Sequence, residues 1–144
     1  MSDADAALHH LFEANRLLRE AGERVASTAG QTHARRMVLQ AAAGGATVPD
    51  IARQLGLHRQ GVQRIADDLV AEGLGRYDEN PRHRLSKLFV VTDRGTAALS
   101  TISRAHSKWV DTIEAETAGI NWAALRHDLA HLVRVLQDQD QRNS

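Results

Sequence analysis

Gly56 is the residue that most narrows what this chain can fold into. It stops the first of two short amphipathic runs, "TVPDIARQL" and "GLHRQGVQRIADDL", before the second begins. In the first run Thr47 and Asp50 have the spacing of a capping box, and Pro49 falls in the first turn, where its missing N–H is harmless. Ile51, Ala52 and Leu55 then point inward at helical spacing. The second run, from about Arg59 to Glu72, places Val62, Ile65, Ala66 and Leu69 on one face and ends near Gly73. After it the hydrophobic period changes from 3.6 to two. "LGRYDE" and "LSKLFVV" read as short strands, and "NPRHR" between them reads as a turn carrying positive charge.

Longer helices flank this unit. The first is predicted from about Ala4 to Ser27, with Leu8, Leu11, Asn15, Leu18, Gly22 and Val25 stepping by three and four in a heptad-like seam. A second, about Thr32 to Ala43, buries Met37, Val38 and Ala41 and ends at Gly44 and Gly45. Thr92 or Asp93 opens a long helix to about Glu116, with Leu99, Ile102, His106, Trp109 and Ile113 in register. "AGIN" interrupts it. Asn121 caps a last helix through Trp122, Leu125, Leu129, Leu132 and Leu136, and "QDQDQRNS" is expected to fray. The 144 residues fit one domain, with aromatics at 3% leaving Leu, Val, Ile and Ala to fill the core. The absence of Cys excludes disulfides, thiolate metal sites and Cys nucleophiles. No run approaches the roughly 20 apolar residues of a membrane helix, and "MSDADAALHH" has no signal-peptide character. The expectation is a cytoplasmic protein without a membrane partner.

Two short helices joined by a tight turn, followed by a basic hairpin, make a winged helix-turn-helix. The predicted class is mainly α with a small β-hairpin. The head spans about residues 32–92, and the flanking helices, whose three-and-four seams suit an intermolecular bundle, span about 4–27 and 93–138. The second helix of such a head enters the DNA major groove. Arg59, Gln60, Gln63 and Arg64 lie on its outward face, and the first acids, Asp67 and Asp68, come two turns in. Arg can pair with guanine O6 and N7, and Gln with adenine N6 and N7. Gln60, Gln63 and Arg64 are assigned to bases, and Arg59 with the Thr47 hydroxyl to phosphates. Gly61 allows close backbone approach. Arg82, Arg84 and Lys87 in "NPRHRLSK" are assigned to the minor groove or its phosphates. The formal net charge is zero, so the basic surface is local, with acids such as Asp128, Asp138 and Asp140 far along the chain.

The stretch "TVPDIARQLGLHRQGVQRIADDLVAEGLGRYDENPRHRLSKLFVVTDRG", with the order of the helices around it, resembles the multiple antibiotic resistance regulator (MarR) family of bacterial transcription factors. The resemblance implies an obligate homodimer, held by the first and last two helices, on a pseudo-palindromic double-stranded DNA operator. It also implies a repressor released by a small aromatic or amphipathic ligand. The family's wing commonly carries an Asp-x-Arg pair. Arg84 matches the Arg, but Arg82 or His83 stands in the place of the Asp. The ligand crevice is expected between the first, second and long helices, with Phe12, Asn15, Arg16, His33, Arg36 and Met37 as candidates.

The competing readings are a winged-helix module that contacts protein or RNA, and a metal-responsive regulator. The latter draws on the eight histidines, of which His127 and His131 are four apart and His9 and His10 adjacent. No third ligand appears at a defined spacing, so neither a metal nor another cofactor is assigned. No Gly-rich phosphate loop or HExxH motif supports an enzyme, and no catalytic residue is assigned.

Overall fold

A computed structural model describes residues 1–144. The element order is α1 (Asp3–Ser27), α2 (His33–Ala41), α3 (Val48–Leu55), α4 (Arg59–Ala71), β1 (Gly75–Asp78), β2 (Leu88–Val91), α5 (Asp93–Glu116) and α6 (Trp122–Asn143). The chain groups into two compact units, residues 1–107 and 108–144. No helix is long and apolar enough to cross a membrane.

The first unit holds the core. Val38 and Leu39 of α2, Ile51 of α3, Val62, Ala66 and Leu69 of α4 and Phe89 of β2 are all fully buried against one another. The one large aromatic at the centre is Phe89. Its backbone N–H and C=O exchange hydrogen bonds with Ala46 (2.8 and 3.1 Å), so the loop before α3 is tied to the hairpin. The hairpin is antiparallel, with Gly75 opposite Val91 and Tyr77 opposite Phe89. Only Gly fits at 75, because a Cβ there would collide with the Phe89 ring.

The caps follow the sequence. The Thr47 side chain accepts a hydrogen bond from the Asp50 N–H at 3.3 Å. Only this half of the box forms with Asp50 as predicted, since the Asp50 carboxylate pairs with Arg53. Gly56 ends α3 in the left-handed conformation at φ 65°, which explains why this position takes glycine. Asn121 accepts from the Ala124 N–H at 3.0 Å to start α6.

Three boundaries move. Helix α2 is shorter than expected because Thr32 caps it from outside, accepting from the Arg35 N–H, and Ala42 closes it. The strands are shorter too. Residues 79–87 form a wing loop, turned by the Asn80 side chain accepting from the Arg82 N–H at 3.0 Å. The last helix is longer than expected. Helix α6 runs to Asn143, since Gln, Asp and Arg after position 136 include no Gly or Pro to stop it.

The predicted seams divide. In α1, Gly22 and Val25 are buried against the rest of the first unit, whereas Leu18 is 55% and Phe12 79% exposed. In α6 no side chain is buried. Leu125, Leu129 and Leu132 are half-buried and Leu136 is exposed.

Candidate nucleic-acid interface

Burial of Val62, Ala66 and Leu69 fixes the rotation of α4 about its axis. Arg59, Gln60, Gln63 and Arg64 therefore all face outward and are exposed. A groove of about 530 Å³ runs between this face, the start of α3 and the wing. Arg59, Gln60 and Gln63 line it from α4, Val48 and Pro49 from α3, Tyr77 from β1, and Leu85, Ser86 and Lys87 from the wing. Four of the eight residues assigned to DNA thus share one concavity. Arg64 lies outside it, on the exposed face of the same helix. Arg82 and Arg84 are exposed on the wing loop. Thr47 is half-buried at the start of α3, where its hydroxyl oxygen caps the helix and its O–H remains able to donate.

The pairing of charges sorts the cations. Arg35 pairs with Glu72, Arg53 with Asp50 and Arg76 with Asp78, the last at 3.0 Å. Arg59, Arg64, Arg82, Arg84 and Lys87 make no ion pair. The arginines of the structural pairs are already neutralised, and those on α4 and the wing keep their charge for an external anion. Arg84 in particular has no bracing carboxylate, as the missing Asp of the family's wing pair implies.

A side-chain network joins α4 to the hairpin. The Gln63 amide nitrogen donates to Asp67 Oδ1 (3.0 Å) and to the Tyr77 hydroxyl (2.9 Å), and that hydroxyl donates to Asp67 Oδ1 at 2.6 Å. The Tyr77 hydrogen bond, then that from Gln63, hold the Asp67 carboxyl below its usual range. Burial, and secondly Asp67, push the Tyr77 phenol up. Tyr77 is itself placed by an edge-on contact with Phe89, ring centroids 6.0 Å apart at 66°. Sequence reasoning missed Tyr77 and Asp67 as members of the site. Strand alternation in "GRYD", with Gly75 inward and Arg76 outward, puts Tyr77 on the α4 side and is the signal that could have found it.

The ligand candidates scatter. Phe12, Asn15 and Arg16 are exposed, with Arg16 paired to Glu20 at 3.0 Å. His33, Arg36 and Met37 are half-buried on α2. His33 and Met37 line an open groove of about 390 Å³ with Arg19, Glu23, Leu55 and Leu57. The other four candidates are not in its lining. His33 Nδ1 and Arg36 Nε are buried atoms with no hydrogen-bond partner. Burial, then the charge of Arg36, lower the pKa of His106 on α5. His9, His10, His127 and His131 are exposed, and no group of three potential ligands is placed to hold a metal ion.

A family described as "Winged helix-turn helix" matches residues 35–90. An uncharacterized protein of Mycobacterium tuberculosis, Rv2011c, is 48% identical over 105 residues, covering 72% of this chain and 73% of the relative. An uncharacterized protein of Mycobacterium bovis matches to the same extent. Among solved structures, a MarR family transcription regulator superposes with a TM-score of 0.82 at 24% identity, covering 96% of this chain and 95% of that one. The transcriptional repressor CouR bound to a 23-mer DNA duplex gives 0.76 at 23% identity, over 92% and 96%. The M. tuberculosis transcriptional regulator MosR in complex with DNA gives 0.69 at 23% identity, over 92% and 96%.

Proposed function

From a chain that belongs to one family with the mycobacterial protein Rv2011c, that matches a winged helix-turn-helix family over residues 35–90, and that has the fold of the MarR regulators, we propose a sequence-specific DNA-binding transcriptional regulator. The observation that carries this reading is the outward face of α4. It presents two arginines and two glutamines, all exposed, with both arginines free of ion pairs, and three of the four open into one groove with the wing. Such a groove complements the acceptor-rich floor of the DNA major groove. Arg64, Gln60 and Gln63 read base edges, while Arg59 and Thr47 hold phosphates. Arg82, Arg84 and Lys87 of the wing hold the adjacent backbone or minor groove.

The protein acts as a homodimer on a pseudo-palindromic operator, with half-sites about 34–36 Å apart, one helical turn. The apolar side chains that α1 and α6 leave exposed support this. It is a repressor in the cytoplasm, and a small aromatic or amphipathic ligand releases it. The unpartnered His33 Nδ1 and Arg36 Nε favour an anionic or phenolic group beside α2. Such a ligand acts only by binding the DNA-incompetent state more tightly than the competent one.

Footprinting on the DNA upstream of the protein's own gene, with selection of bound sites from random duplexes, tests the reading. A protected two-fold site is expected. Uniform weak binding to every sequence would transfer the protein to the winged-helix modules that contact protein or RNA. Titration of aromatic acids such as salicylate against the complex tests release.

A further inference from the structure

Gln63 is assigned above to reading a base, but its amide is not free to turn. Asp67 carries only acceptors when ionised, so the nitrogen of the Gln63 amide, not its oxygen, must face the corner made by Asp67 Oδ1 and the Tyr77 hydroxyl. The Tyr77 O–H is committed to the same carboxylate at 2.6 Å, which leaves the phenolic oxygen to accept from Gln63. Every bond in the triangle therefore has one possible direction, and Oε1 of Gln63 is turned away from it. The triangle is anchored from below, because the ring of Tyr77 meets fully buried Phe89 edge-on and the Phe89 backbone is bonded to Ala46. Gln63 and Tyr77 both line the groove, so the network sits where a base edge would come.

We propose that Asp67 and Tyr77 are specificity-determining positioning residues: they lock the Gln63 amide so that it offers its carbonyl oxygen to the DNA and selects an exocyclic amine, adenine N6 or cytosine N4, at one position in each half-site. An unlocked glutamine can flip and offer either an acceptor or a donor, and so tolerates guanine O6 and thymine O4 as well. The fixed negative charge of Asp67 beside the amide acts in the same sense, since it repels base acceptors and attracts amino groups. The sequence alone suggests only that acid is absent from the first turns of the helix. The structure gives the first acid a task in reading DNA.

This inference rests on the DNA-binding function proposed above, and one experiment separates the two. Bound sites are selected from random duplexes for the wild-type protein and for Gln63→Ala, Tyr77→Phe and Asp67→Ala. The base whose preference disappears in Gln63→Ala is the one Gln63 reads. In that site the exocyclic amine is then deleted, with purine replacing adenine or 2-pyrimidinone replacing cytosine. For the wild type, deletion is expected to weaken binding by roughly two- to tenfold, the range of one hydrogen bond. In Asp67→Ala the penalty is expected to shrink towards onefold and the motif to broaden at that position only, and in Tyr77→Phe, which keeps the bond from Gln63 to Asp67, to change in the same sense by less. Tyr77→Phe retains the ring packed on Phe89, so a change confined to one base and unaccompanied by a lower melting temperature is not a folding effect. Three outcomes overturn the lock: no base preference that depends on Gln63, no penalty for amine deletion in the wild type, or an unchanged preference in both variants. Failure of the wild type to select any motif instead overturns the DNA-binding reading.

Discussion

At the scale of single residues, the α4 face separates groups that hold the fold from groups that are free to act. Arg64 is exposed, unpaired and outside the Gln63 network, so nothing in the folded protein depends on its guanidinium. Arg64→Ala is therefore expected to leave the melting temperature unchanged. It should cost about 1–3 kcal/mol in operator affinity and relax one position per half-site. Unchanged affinity and motif would remove Arg64 from the base readers. Gly61 makes the converse case. It is exposed, has no positive φ, and a Cβ added there meets no atom within 4 Å. Gly61→Ala should stabilise the free protein by up to about 1 kcal/mol and yet weaken the DNA complex, where the backbone comes close to the duplex. Thermal unfolding and gel shift on the same preparation read both signs, and equal DNA affinity would show that Gly61 is not approached. His106 governs a different property. Its pKa lies below the ordinary 6.5 because of burial and, secondly, Arg36. The unfolded chain therefore takes up this proton first as pH falls. Stability is highest above about 6.5 and declines as pH drops through the folded-state value. His106→Gln should flatten the melting temperature between about pH 7 and 5, and a slope equal to wild type would place the pH dependence elsewhere.

At the scale of elements, the wing is the part whose role depends least on packing. Arg82 and Arg84 are exposed on the loop between β1 and β2, and their guanidinium groups make no ion pair. The Arg82→Ala, Arg84→Ala double variant is expected to keep its fold and to lose about 0.9 in the slope of log K against log salt for each phosphate contact removed. An unchanged slope would mean that the wing does not touch DNA. The same elements indicate what the sequence made legible. Helix starts were readable at Thr47 and Asn121, because a side-chain oxygen three residues before an amide is a local, geometric signal. The stop at Gly56 was readable because glycine alone takes the left-handed conformation without a Cβ penalty. Strand lengths were not, since "LSK" has the composition of a strand but lacks a partner once Asp78 has paired with Leu88. The end of α6 was not legible either, since the polarity of its last residues lowers burial without breaking a helix, which runs to Asn143. In the site, the outward face of α4 followed from periodicity alone. The Tyr77–Asp67–Gln63 network did not, because it joins residues that meet only when the hairpin folds back onto α4.

At the scale of the whole molecule, the apolar residues that find no cover within the chain are the argument for a second copy. Helix α1 exposes Leu8, Phe12, Leu17 and Leu18, and α6 exposes Trp122, Val133, Val135 and Leu136 while burying nothing. A helix gains most of its stability from packing an apolar face, so the 22 residues of α6 are marginal without a partner. Scattered surface leucines need no explanation, but Leu8 and Leu18 of α1 and Leu136 of α6 lie on the three-and-four runs Leu8–Leu11–Asn15–Leu18 and Leu125–Leu129–Leu132–Leu136, whose other leucines are only half-buried. A stable interface removes about 1,200–2,000 Å² from water. At roughly 25 cal/mol per Å² its apolar share offsets the cost of ordering two chains. Leu11, Leu18, Trp109, Leu129 and Leu132 are assigned to that interface, and of these Leu18 is exposed and the others half-buried in the single protomer. Sedimentation at micromolar concentration is expected to give twice the protomer mass of 15.8 kDa. Leu18→Asp combined with Leu132→Asp places two charges per chain in the seam and should shift the protein to monomer. The core of the reading head, centred on Phe89 and Leu69, contains neither residue. A monomeric wild type at this concentration would sink the assignment. With the seam confirmed, the monomeric variant should retain weak half-site binding and lose the two-fold operator footprint, because each head then binds without its neighbour's effective concentration.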